Sequence, residues 1–142
     1  MSTPRLHLTK LKIAVPVAFL FASFVIFVLA IFLVDGSVPR VVGALVTFAA
    51  SILWIIARIQ LGDAPLEGRL VTTGLYGEFR HPIYLFSTTA FLGVAIFMWV
   101  GLLFLPVIAI GVIQIVRAHR EEQKLAHKLG RRYLRYKQRT IF

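Results

Sequence analysis

The sequence has no cysteine, which excludes disulfides and thiolate chemistry and leaves redox compartment unread. Its four histidines, His7, His81, His119 and His127, show no paired metal-ligand spacing, so no metal site is expected. The glycines of TTGLYG lack a surrounding βαβ pattern and make no dinucleotide fingerprint. No serine stands in a nucleophile-elbow context. Charge is also missing over long distances: none occurs in Ile13–Val34, in Val41–Ala57 or in Ile83–Val116.

What fills those stretches is apolar. Hydrophobic residues make up 58% of the chain and mean hydropathy is +0.83, above the range of ordinary soluble domains. The 142 residues read as one all-α, polytopic membrane domain spanning 1–142. Ile13–Val34 is long enough, at about 1.5 Å per residue, to cross a hydrocarbon core of about 30 Å. It exceeds the roughly 7–15 residues of a signal-peptide core, and no small-residue cleavage site follows it. DGSVP at Asp35–Pro39 reads as an external turn. Val41–Ala57 returns, with Trp54 as an interfacial anchor near its cytoplasmic end. Ile83–Val116 as one helix would be about 51 Å long, too much for a single span. Gly101 and Pro106 mark the expected break. The expectation is therefore about four spans, near 13–34, 41–57, 83–99 and 101–116.

The net charge of +10 is unevenly spread. Of 16 Lys and Arg, three precede Ile13, one is Arg40, three lie between Arg58 and Arg80, and nine follow from Arg117 onward. That is a positive-inside pattern, placing both termini and the 58–81 loop in the cytoplasm. No soluble basic domain is present to bind nucleic acid, and none is expected as partner. Anionic lipid headgroups under the basic tail are the plainer partner.

Two polar clusters flank the last apolar block. The first is Leu70–Tyr84, LVTTGLYGEFRHPIY. Pro82 suits the first turn of a helix, where its missing N–H would be unpaired anyway. A loop ending at His81 and a helix starting at Pro82 put Arg80, His81, Tyr76 and Tyr84 at the lip of the bilayer. The second cluster opens a helix over 117–137, read as amphipathic and lying on the cytoplasmic face. Ala118, Leu125, Leu129, Tyr133 and Tyr136 form its apolar stripe. Glu121 is expected along that stripe, Glu122 about 100° away and facing out, and Arg117 within reach of Glu121. An inward acid beside an arginine at the interface is a functional-site candidate. Each piece also has a plain structural reading. Arg80 can snorkel to phosphates, the tyrosines can belong to an interface belt, and Arg117–Glu121 can be a helix pair.

In combination the chain resembles a known family. LVTTGLY, then RHPIY, an uncharged hairpin, REE and LGRRYLRYKQRT stand in the order of the isoprenylcysteine carboxyl methyltransferase and phospholipid methyltransferase superfamily. The resemblance covers about Leu70 to Thr140. It implies an integral membrane methyltransferase using S-adenosyl-L-methionine. Carried over by position, it assigns cofactor contacts to Leu70, Val71, Tyr76, His81, Pro82, Tyr84 and Glu121. Arg117 takes the place of an arginine that orients the methyl acceptor. The acceptor is expected to be lipophilic and to enter from the bilayer, with a carboxylate leading and a phospholipid amine next. Two other readings stay open, an NADPH-dependent reductase of related fold and a non-catalytic membrane scaffold. Phe86 and Gly68 depart from the family pattern. Gly68 stands where relatives that methylate prenylcysteine tend to have histidine.

Overall fold

A computed structural model describes residues 18, 21–29, 37–64 and 68–142. Among these the chain is helical, with no strand beyond one isolated bridge. The elements are α1 (Val38–Leu61), α2 (Leu75–Glu78), α3 (Pro82–Met98), a 3-10 turn (Gly101–Leu103), α4 (Phe104–Leu129) and α5 (Arg131–Lys137). Residues 21–29 are also helical; the rest of the expected 13–34 span lies outside the described residues. Two helices, Val38–Leu61 and Gly101–Leu129 counted with the 3-10 turn, are long and apolar enough to cross a membrane. α3 is apolar but shorter, at 17 residues. Four complete spans are thus not all present among the described residues.

The core is built on small residues. α1 buries Gly43, Ala44, Thr47, Ala50 and Ser51 along one face. α3 offers Ala90, Gly93 and Ala95. A Cβ on Gly43 would fall onto the backbone of Phe97 and within 2.7 Å of Gly93 O, so the two helices meet backbone to backbone. Small residues permit such close packing where lipid removes the hydrophobic drive between helices. The Thr47 hydroxyl is satisfied on its own helix, donating to Gly43 O at 2.8 Å. The 21–29 helix joins α1 through a 2.7 Å hydrogen bond between the Ser23 and Ser51 hydroxyls and through Phe27 stacked on Phe48 at 5.1 Å. On α4, Leu105, Ile108, Val112 and Ile115 are 55–62% exposed, an apolar face of the kind a bilayer covers.

Three boundaries differ from the sequence reading. The break in the hairpin begins at Trp99, in the left-handed region with φ of 50°, and continues through the 3-10 turn that Gly101 opens, so Gly101 lies in it as expected. Pro106 does not break anything. It sits in the first turn of α4, where a missing N–H costs nothing. α4 runs unbroken through Val116 and Arg117, so the last span and the start of the cytoplasmic helix are one rod of 26 residues, about 39 Å long. The helix expected over 117–137 is instead divided at Gly130, whose φ of 52° turns the chain into α5.

Candidate functional site

The loop before α3 is pinned from three sides. Leu75 N–H donates to Gln60 Oε1 of α1 at 2.9 Å. The Tyr136 hydroxyl of α5 donates to Tyr76 O at 2.7 Å. The third tie is the tail: Phe79 and Ile141 form a parallel bridge, and Ile141 N–H donates to Glu78 O at 2.7 Å. Arg80 N–H donates to Phe142 O at 2.8 Å, and His81 N–H reaches the same oxygen at 3.3 Å. The loop that ends at His81 therefore contains a one-turn helix and a short parallel pairing.

His81 caps α3 with its side chain buried. The imidazole stacks on Tyr84, centroids 5.7 Å apart and planes 14° apart, and Phe142 lies edge-on at 6.0 Å. The ring stands between two carboxylates. Nδ1 is 3.8 Å from Glu121 Oε2, and Nε2 is 3.6 Å from Glu122 Oε1; both are too long for hydrogen bonds. Burial pushes the His81 pKa below its usual value, against the pull of Glu121 and Glu122, so the ring is neutral near pH 7.

The two glutamates have opposite characters. Glu122 is 12% exposed and Glu121 51%, the reverse of the wheel expectation. Ala118 is buried and Glu122 lies one turn beyond it, so the face of α4 that α5 and the loop cover runs through 122. Glu122 holds Arg80 Nε at 3.0 Å and Lys137 Nζ at 2.7 Å. Burial alone would raise its pKa, but the Lys137 hydrogen bond and the charges of Arg80, Lys137 and His81 outweigh this and hold it low. Glu121 keeps one short bond, from the Tyr84 hydroxyl to Oε1 at 2.6 Å. Its other oxygen is open.

Arg80, His81, Tyr84 and Glu121 border a cavity of about 480 Å³, within the ~300–1,000 Å³ common for small-ligand sites. Leu70, Val71, Tyr76, His81, Tyr84 and Glu121 all line it. Two sequence candidates do not. Pro82 is fully buried in the first turn of α3, where it sets the direction of the helix. Arg117 is exposed on α4, one turn before Glu121 and outside the lining.

The lining also includes residues that sequence reasoning left among structural ones: Arg58, Lys124, Lys128, Tyr133 and Tyr136. Tyr133 is 1% exposed and its hydroxyl has no hydrogen-bond partner among the described residues. A buried phenol usually finds one, so this hydroxyl marks a place for a ligand acceptor. Its aromatic type at a stripe position was the available signal. Burial raises the Tyr133 and Tyr136 pKa values to about 12, so both phenols are hydrogen-bond donors at neutral pH. The cavity thus combines an open carboxylate, unspent phenol and imidazole atoms, cationic side chains and an apolar wall of Leu70, Val71, Ile83 and Leu125.

Comparison with known proteins assigns the family. The phospholipid methyltransferase family model matches residues 42–132, well over half of the chain and inclusive of both polar clusters. No curated protein and no solved structure matches. The chain belongs to the phospholipid methyltransferase family, whose members are membrane methyltransferases.

Proposed function

We propose that the protein transfers a methyl group from S-adenosylmethionine to a lipophilic acceptor reaching the cavity from the bilayer. The observation carrying this reading is that six side chains assigned to cofactor by position border one cavity. Methyltransferases of such families generally use this cofactor, and the residues present fit it. The orphaned Tyr133 hydroxyl and the cationic Arg58, Lys124 and Lys128 suit a carboxylate. Glu121 Oε2 and His81 Nδ1, 3.8 Å apart, form an acceptor pair for amine or ribose donors. In the tautomer that carries hydrogen on Nε2, toward Glu122, Nδ1 is left to accept. Leu70, Val71, Ile83 and Leu125 provide an apolar surface for adenine. Bound there, the cofactor supplies an electrophilic methyl on sulfonium. The protein's part is alignment and exclusion of water.

For the acceptor, a carboxylate leads. It is already a nucleophile, and Arg117 stands where α4 leaves its apolar segment, able to orient an acid head from outside the cavity. The second reading, a phospholipid amine, is supported by the matched family and by the neutral His81, which can take the proton an ammonium must lose. The site would face the cytoplasm, as the basic loop and tail indicate.

Labelled S-adenosylmethionine and a membrane lipid extract in mixed micelles test this. Label in the lipid phase that mild alkali releases as methanol identifies a methyl ester. Alkali-stable label identifies an N-methyl amine. No transfer by folded protein to either class would contradict the proposal and favour the scaffold reading.

A further inference from the structure

A second cleft lies on the other side of α5 from the cofactor cavity. It measures about 320 Å³ and is lined by Arg132, Arg135, Arg139, Thr72, Thr140 and the backbone of Gly77 beside Tyr136. Arg132, Arg135 and Arg139 follow at i, i+3 and i+7 and share one face of the chain as it runs through α5 and the turn after it. Among the described residues no carboxylate lines the cleft, and none of the three guanidiniums has an ion-pair partner. This contrasts with the cofactor side of the same helix, where Glu122 neutralises Arg80 and Lys137. Three unpaired cations converge on one concave space.

We propose that this cleft binds the phosphomonoester headgroup of an anionic lipid of the phosphatidic acid type. Three guanidinium forks match the three terminal oxygens of a phosphomonoester better than the two of a carboxylate. The Thr72 hydroxyl adds a neutral donor from the facing loop. A protein embedded in a bilayer meets this chemistry most often as a headgroup, and a basic surface gathers anionic lipid. Tyr136 links the cleft to the cofactor cavity. It walls both, and its hydroxyl holds Tyr76 O at 2.7 Å. A phosphate bridging Thr72 to the arginines of α5 and its following turn therefore ties the cofactor loop to that helix. The inference does not rest on the methyl-transfer reading.

The test is titration of the purified protein in detergent with dihexanoyl phosphatidic acid, dihexanoyl phosphatidylcholine and inorganic phosphate. The expected result is saturable binding of the phosphatidic acid and none of the phosphatidylcholine. Loss of two charge-assisted contacts in R135Q/R139Q should weaken binding about tenfold or more. The charge-matched variant R120Q/R131Q, which leaves the cleft lining intact, should bind within about twofold of the parent, since isolated surface charges contribute little. Equal losses in the two variants, or no binding by the parent, would overturn the site. Inorganic phosphate binding as tightly as the lipid would overturn the headgroup assignment. Circular dichroism and thermal unfolding in the same detergent show that each variant is folded, and titration with S-adenosylhomocysteine reports on the other cavity separately.

Discussion

The phenol of Tyr84, in the first turn of α3, donates a 2.6 Å hydrogen bond to Oε1 of Glu121 in α4. It ties the end of the RHPIY segment to the acid of the REE segment and leaves the other carboxylate oxygen 3.8 Å from His81 Nδ1. Tyr84→Phe removes this bond and nothing else. Glu121 is half exposed, so water replaces the lost donor and thermal stability should change little. Affinity for S-adenosylhomocysteine should fall about three- to tenfold, because a charge-assisted bond positions the acid. Unchanged affinity would show that Glu121 is not held for a ligand.

His81 gives the pH dependence. Its folded-state pKa is depressed by burial below the unfolded value of about 6.5. The unfolded chain therefore takes up the proton first as pH falls. The stability from the buried neutral ring is complete above pH ~6.5 and is lost as pH drops through the lower folded value. Thermal unfolding in detergent between pH 7.5 and 5 (a span of about 2.5 units around that value) should show the parent losing stability on acidification. His81→Gln should lose less over the same window. Parallel curves would contradict a neutral buried imidazole.

The tail pairing predicts a backbone effect. Ile141→Pro deletes the N–H that donates to Glu78 O at 2.7 Å, and with it the pairing that leads Phe142 to the Arg80 and His81 amides. Each such bond contributes on the order of 1 kcal/mol. Weaker S-adenosylhomocysteine binding is expected, while Ile141→Ala, which keeps the N–H, should stay close to the parent. If the two variants behave alike, side-chain packing rather than pairing holds the loop.

Gly43→Ala tests the close approach of α1 and α3. The new methyl would press on the Phe97 backbone and on Gly93 O, neither of which can rotate away. Overpacking of this kind costs about 1–3 kcal/mol. Gly111→Ala is the control, since its methyl would sit 3.7 Å from a Thr88 methyl in ordinary contact. The first variant should melt lower and the second should not.

How much of this was legible in the sequence varies with the physics involved. The start of α3 at Pro82 follows from local chemistry alone. Of the two residues that suggest a break between α3 and α4, Gly101 lies in it, in the 3-10 turn, and Pro106 does not. The chain turns at Trp99, and proline in a first turn is compatible with helix. Glu121 and Glu122 were misassigned because a wheel drawn for an isolated helix ignores α5. The fold-back at Gly130 buries the 122 side against Arg80 and Lys137. The bridge between Phe79 and Ile141 spans 62 residues and leaves no periodic trace. Tyr133 looked like core, and its unpartnered hydroxyl is visible only once its neighbours are known.

Under the proposed function, the cavity between the 68–81 loop, α4 and α5 would hold an adenosyl cofactor through Glu121. Calorimetric titration with S-adenosylhomocysteine, run beside NADPH on the parent and on Glu121→Ala, tests it most directly. The account predicts saturable binding of the adenosyl ligand alone by the parent and its loss in the folded variant. Binding of NADPH instead, or full affinity retained by Glu121→Ala, would contradict it.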